Sequence, residues 1–181
     1  VGRRFQESDS VVMLLGDLRA SLGGSEYLKV IHGLICGVPP VLDLKTECKL
    51  QRVLVELVGA DLLLSAHDCS DGGLAVTLAE CSADTDGIGC EVAIPTMAGG
   101  VINSLFGESA SNVVVSVRKK DVSRVIEVFT AASLPWLTLG RSGGERVRIS
   151  IGDEDVVDAP LDEVAQAWST GVSRYFEDSA A

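Results

Sequence analysis

Short apolar runs alternate along this chain with stretches whose apolar residues recur every three or four positions. That alternation constrains the fold more than any other feature, because the two patterns suit strands and amphipathic helices respectively. Val11 to Leu15 is an unbroken apolar run ending at Gly16 and predicts a buried strand. Gly23-Gly24-Ser25-Glu26 opens a short helical stretch, either as an anion-binding helix start or merely as a cap supplied by Ser25, and Gly37-Val38-Pro39-Pro40 breaks the chain after it. From Leu44 to Val58 the pattern is helical. Leu50, Val53, Leu54, Leu57 and Val58 form one apolar face, and Gly59 is placed to end the helix. Leu62 to Ala66 reads as the next buried strand, and Leu74 to Cys81 as the next helix.

The alternation continues to the far end. Glu91 to Ile94 is strand-like and stops at Pro95, Val101 to Leu105 is a short helix, and Asn112 to Val117 is β-branched. Val122, Val125, Ile126 and Phe129 mark a helical stripe. Trp136 to Leu139 and Val147 to Ile151 are strands separated by the turn Ser142-Gly143-Gly144. Leu161, Val164, Trp168, Val172 and Tyr175 mark a closing helix, with Asp162 and Glu163 in its first turn. The expected class is α/β, a mixed sheet covered by helices. Leu62 to Ile94 is expected to form a βαβ unit, and the later helix–strand–strand–helix portion part of a ferredoxin-like arrangement.

Composition excludes several functions. With 181 residues, 46% of them hydrophobic, the chain can bury one sizeable core. Fifteen basic against 26 acidic residues leave a net charge of −11, which argues against nucleic acid and anionic membrane as partners. No apolar run approaches the roughly 18–20 residues of a membrane span. The five cysteines are odd in number and form no C-x-x-C pair, so reduced core thiols are expected. The first residue is Val rather than Met, which suggests a piece of a longer chain.

The densest polar cluster is His67-Asp68-Cys69-Ser70-Asp71-Gly72-Gly73, between a strand and a helix start, where α/β proteins place ligands. Gly72 and Gly73 let a backbone approach a ligand, and the helix N–H groups beyond attract phosphate. Asp68 and Asp71 suit Mg²⁺, and His67 suits phosphate or a proton. A purely structural role fits the same residues. Ser70 or Asp71 then caps the helix, the glycines serve packing, and His67 bonds within the sheet. Gly107-Glu108-Ser109-Ala110-Ser111 is either a polar ligand loop or a turn capped by Ser109. His32 suits core or helix-end packing. There is no Walker A loop, no G-x-G-x-x-G after a strand, no G-x-S-x-G elbow and no zinc-ligand spacing.

Three motifs in order, Leu22-Gly23-Gly24-Ser25-Glu26-Tyr27-Leu28, Ser65 to Val76 and Leu105 to Ser111, resemble the phosphoribosylformylglycinamidine synthase family. The likeness runs from about Val11 to Trp168. It is to the C-terminal domain of the large synthetase subunit of the bacterial multi-subunit type, a domain shared with the aminoimidazole ribonucleotide synthetase superfamily. The resemblance implies an ATP- and Mg²⁺-dependent ligase of cytoplasmic purine biosynthesis. Formylglycinamide ribonucleotide is activated by phosphorylation at its amide oxygen, and glutamine-derived ammonia displaces the phosphate to give the amidine. It implies that residues 1–181 are a single C-terminal domain. Its partners would be upstream domains of the same subunit, a glutaminase subunit and a small accessory subunit. Catalytic groups lie mainly in those upstream domains, so the isolated chain is expected to be inactive and no residue here is assigned as catalytic. His67, Asp68, Ser70, Asp71, Gly72, Gly73, Gly107, Glu108 and Ser109 match the family's motif positions as nucleotide-binding candidates, with Asp68 and Asp71 as metal ligands. Asn112 departs from an expected Arg, and Cys69 from a common Val. The alternatives are a structural domain that completes a fold and binds partner domains without its own ligand, or a superfamily member that phosphorylates a small molecule or serves metal-cofactor maturation.

Overall fold

The computed structural model describes residues 1–16 and 19–178. Strand β1 (Val11–Gly16) lies inside the sheet, and its consecutive residues feed two different cores. Val12 and Leu14 point to one face, Met13 and Leu15 to the other, and all four are buried. A strand covered on both sides has no polar face, hence the unbroken apolar run. Its neighbour β4 (Asn112–Val117) is buried along its whole length for the same reason.

Helices α2 (Leu44–Gly59) and α5 (Val122–Ala131) cover one face. Leu50, Val53 and Leu57 of α2 and Val125 and Phe129 of α5 pack there with Met13, Leu15 and Val115. Val58, at the edge of the expected stripe, is exposed. Gly59 is the last helical residue rather than a left-handed cap. The chain turns instead at Asp61, with φ of 56°. The buried Leu62, Leu63 and Leu64 lead into β2 (Ser65–Asp68), which begins three residues later than the apolar run suggests. Leu62 and Leu63 fill the core, the Leu64 N–H donates to the Ser116 carbonyl, and residue pairing with β4 starts at Ser65 opposite Ser116.

The other face carries α3 (Gly73–Ser82), α4 (Gly100–Phe106) and α6 (Leu161–Asp178), over strands β3 (Cys90–Ile94), β5 (Trp136–Ser142), β6 (Arg146–Ile151) and β7 (Glu154–Pro160). The sheet order is β2-β4-β1-β5-β3-β6-β7, and only β3 and β6 pair in parallel. Chain segments β1-α2-β2 and β4-α5-β5 thus form a ferredoxin-like unit, an antiparallel sheet ordered β2-β4-β1-β5 with both helices on one side. The ferredoxin-like element therefore draws on the start of the chain as well as its later part.

One sequence expectation is corrected here. Leu62 to Ile94 is not a βαβ unit, because β4, β1 and β5 lie between β2 and β3. Strands β5 and β6 are joined by the Ser142-Gly143-Gly144 turn but do not pair, since β3 inserts between them. Gly89 fixes that insertion, exchanging backbone hydrogen bonds of 2.8 Å with Gly143 and Gly144. Strand β7 was not expected. It is a half-exposed edge strand ending in Pro160, and it returns from β6 through Gly152. A short α1 (Glu26–His32) follows the first glycine motif. Val172 and Tyr175 of the closing stripe have side chains outside the described residues. Trp168 is partly exposed, with the Arg3 guanidinium 4.5 Å from its ring centre. No helix among the described residues is long and apolar enough to cross a membrane.

The cysteines divide into two groups. Cys81 and Cys90 are buried and Cys69 is half-buried against the same core, but Cys36 and Cys48 are exposed, contrary to the expectation of five core thiols. Cys48 shares the outer side of α2 with Gln51, Arg52 and Val55, opposite the apolar stripe. Burial pushes the Cys69 and Cys90 thiols up to about 12 and also raises Cys81. Because the thiolate is the reacting form, native labelling with iodoacetamide at pH 8 is expected to modify Cys36 and Cys48 first. Cys69, Cys81 and Cys90 should react only on unfolding. Peptide mass spectrometry showing all five labelled at one rate would contradict this packing.

Candidate functional site

The three glycine-bearing motifs meet at one carboxylate. Glu108 lies in the loop between α4 and β4, and its Oε1 accepts from the Gly72 N–H at 3.0 Å and from the Glu26 N–H at 2.9 Å. These donors stand at the starts of α3 and α1, where helices leave unpaired N–H groups and carry partial positive charge. The Glu108 backbone also exchanges hydrogen bonds of 2.9 and 3.0 Å with Ser21. An internal carboxylate therefore sits where the sequence suggests a bound anion.

Close backbone contact explains the glycines. Gly73 has φ of +67°, and a Cβ there would lie 2.6 Å from the Gly107 carbonyl oxygen. Gly72, at φ of +82°, is the N-cap residue of α3, and neither Ser70 nor Asp71 caps that helix with its side chain. Ser70 contributes its carbonyl, which accepts from the Gly73 N–H at 3.1 Å. Gly72, Gly73, Gly107 and Glu108 thus form one cluster joining α1, α3 and the end of α4.

His67 stands apart from this cluster. Its Nε2 lies 2.9 Å from Glu80 Oε2 on α3, and its Nδ1 3.3 Å from Asp68 Oδ1. The imidazole is largely covered, and both ring nitrogens face a carboxylate of its own domain. Sequence reading did not single out Glu80. Its place two turns into α3, on the side facing β2, is the only signal that could have found it. Asp68 and Asp71 face solvent, and the Asp71 carboxylate helps raise the Lys29 ammonium, behind the larger effect of Glu26. His32 sits in the last turn of α1, edge-on to Tyr27 at 5.5 Å.

Ser109 is not a turn cap; its Oγ accepts from Asn112 Nδ2. Asn112 Oδ1 is buried without a partner, at the position where the family resemblance expects Arg. Ser109 also lines a cavity of about 490 Å³ with Ser21, Asp43 and residues near Pro40. Asp43 caps α2, and its bonds from the Thr46 hydroxyl and the Lys45 N–H hold its carboxyl below the usual range.

No group of three or more His, Cys, Asp or Glu side chains among the described residues is placed to hold a metal. The Gly72 N–H is already taken by Glu108, so a phosphate does not fit the start of α3 with the present side chains in place. Asp68 and Asp71 offer hard oxygens at the surface, the ligand type Mg²⁺ prefers.

Removing the Glu108 carboxylate leaves two helix-start N–H groups unpaired. Glu108→Ala is expected to cost about 1–3 kcal/mol, with Glu108→Gln recovering most of that loss because its amide oxygen still accepts. Urea unfolding of the three proteins measures this. An alanine variant as stable as the parent would show that the clasp contributes nothing.

The family model described as AIR synthase related protein, C-terminal domain, matches residues 7–152. Phosphoribosylformylglycinamidine synthase subunit PurL of Anaeromyxobacter sp. is 39% identical across 98% of this chain and 24% of its own length. The Thermobifida fusca protein of the same name is 44% identical across 84% of this chain and 20% of its own. The chain thus spans about a quarter of the length of these curated relatives. Among solved structures, phosphoribosylformylglycinamidine synthase II from Thermotoga maritima superposes with a TM-score of 0.73 at 20% identity, over 91% of this chain and 27% of that one. T. maritima PurL complexed with FGAR gives 0.75 at 18% identity, over 91% and 29%. These structures share the fold, and the family match extends over most of the sequence. With a ferredoxin-like half, an added β3-β6-β7 layer and three glycine motifs gathered on Glu108, the chain belongs to the AIR synthase related protein, C-terminal domain family.

Proposed function

We propose that this chain is the C-terminal domain of the large synthetase subunit of phosphoribosylformylglycinamidine synthase, one piece of a longer polypeptide. The complete protein is then an ATP- and Mg²⁺-dependent carbon–nitrogen ligase of cytoplasmic purine biosynthesis. It converts formylglycinamide ribonucleotide to the amidine with ammonia from glutamine. One observation carries this reading: relatives 39% and 44% identical, aligned along 98% and 84% of this chain, bear that subunit's name. Structures of T. maritima PurL complexed with FGAR and with ATP, and of T. maritima PurLQS, support the same ligands and a multi-subunit assembly. The upstream domains, a glutaminase subunit and a small accessory subunit are the partners in this reading.

Within the domain the nine motif residues divide by role. Gly72, Gly73, Gly107 and Glu108 join helices, with Ser70 supporting the turn. His67 ties β2 to α3 through Glu80. Asp68, Asp71 and Ser109 turn towards solvent or a cavity, so contact with a magnesium nucleotide falls to them. A second reading, a structural domain with no ligand of its own, is favoured by Glu108 occupying the helix-start donors.

The polypeptide that includes the upstream domains is expected to form amidine from formylglycinamide ribonucleotide, MgATP and ammonium. The 181-residue chain alone is expected to form none above a blank. Turnover by the isolated chain would sink the proposal, as would a longer polypeptide that makes no amidine. The two domain roles separate in a MgADP titration of the longer polypeptide carrying Asp68→Ala and Asp71→Ala. Metal-holding carboxylates would lower affinity by about tenfold or more at unchanged stability. Unchanged affinity selects the structural role.

A further inference from the structure

The strongest unexplained feature lies outside the motif cluster. Helix α1 buries none of its residues, and the segment after it turns its aliphatic side chains outward. Val30 is 71% exposed, Ile35 87%, Val38 79% and Val41 90%, with Ile31 and Leu44 above 60%. From Val30 to Leu42 the sequence holds no Asp, Glu, Lys or Arg, although the chain carries a net charge of −11. Exposed apolar residues scattered singly are ordinary, but a run of this kind marks an interaction surface.

The backbone beneath the strip is fixed. Glu108 holds the start of α1, Ser25 caps it, and Tyr27 stacks on Phe106 with ring centres 5.0 Å apart. Further along, the Gly24 N–H donates to the Cys36 carbonyl at 2.8 Å, folding the segment back on the glycine motif. Beside the strip, an apolar groove of about 350 Å³ runs between Val30 and Ile31 of α1 and Val76 of α3. A held backbone that presents uncovered aliphatic groups is a prepared surface rather than an unfolded one.

We infer that this strip, from Val30 to Leu42, is the docking face for the remainder of a longer polypeptide, which covers it with an uncharged, aliphatic surface of its own. This rests on the reading above that the chain is one part of a synthetase. Two observations choose the occupant. The chain spans about a quarter of the length of its relatives, so in that reading the same polypeptide supplies a large folded partner. The strip also lacks the charges that would select an acidic or basic ligand.

Cys36 lies within the strip, while Cys48 faces solvent on α2, so the two thiols serve as probe and control. Native labelling with iodoacetamide is compared for the 181-residue chain and for the longer polypeptide. Docking is expected to slow Cys36 by about tenfold or more while Cys48 changes little, since access limits thiol reactivity. Ile35→Asp together with Val41→Asp in the longer polypeptide should restore fast labelling of Cys36. Equal Cys36 rates in the two proteins would overturn the inference. So would protection that develops in the short chain alone as its concentration rises, because the occupant would then be a second copy. Amidine formation is measured in parallel. Protection without synthesis leaves the docking face standing and removes the function. Synthesis without protection does the reverse.

Discussion

The carboxylate of Glu108 is the interaction on which the arrangement of this domain's upper surface depends. Its Oε1 oxygen accepts from the starts of two helices, α1 and α3, that no sheet ladder connects. A helix start draws negative charge because its first N–H groups lack partners and the peptide dipoles align behind them. A seven-residue helix such as α1 cannot hold itself together on local hydrogen bonds alone. Fastening its first turn to Glu108, and through it to α3, gives the helix and the strip beyond it a fixed place. The close approach of Gly73 to Gly107 follows from the same demand, since a side chain at Gly73 would run into the backbone of Phe106 and Gly107 and push α3 away from the end of α4.

Beneath that surface the sheet divides the molecule into two cores of different origin. The face under α2 and α5 belongs to the ferredoxin-like unit and is filled by alternate residues of β1 and β4. The opposite face uses the remaining residues of those strands, then extends through β3, β6 and β7. Segment α3-β3-α4 enters the chain between β2 and β4 of the ferredoxin-like unit, yet β3 pairs at the far side of β5. The clasp and the motif residues thus lie where this inserted segment leaves and rejoins the unit, between the end of β2 and the beginning of β4.

What was legible in the sequence follows from how each element is buried. β1 shows as an unbroken apolar run and β4 as a β-branched one because both faces are covered, and α2 and α5 as stripes because one face is. β7 escaped notice because an edge strand with Asp158 and Pro160 needs little apolar pattern. The insertion of β3 between β5 and β6 could not be read, since pairing partners far apart in sequence leave no local mark. The candidate site was legible as residues but not as a role. Glu108 meets donors 36 and 82 positions away, so the sequence shows an acid and three glycine motifs without showing that the acid fills their common anion position. A side-chain cap at Ser70 or Asp71, one of the two roles the local pattern allows, is replaced by a long-range partner, Glu108, on the Gly72 N–H.

The exposed strip and the clasp then read as two consequences of one construction. In the proposed docking, an acidic domain that joins a larger body gains little from charge at the joint, because buried charges need partners with good geometry to repay their desolvation. An aliphatic surface carries no such demand, and its burial contributes in proportion to area. It does require that the side chains be presented in a defined pattern, since shape then supplies what charge does not. Glu108, the Ser25 cap and the Gly24–Cys36 hydrogen bond meet that requirement from behind, with polar contacts placed where the joint itself does not need them. Part of the motif that the sequence presents as a ligand cradle, Glu108 with Gly24 and Ser25, thus stands directly behind the exposed apolar strip.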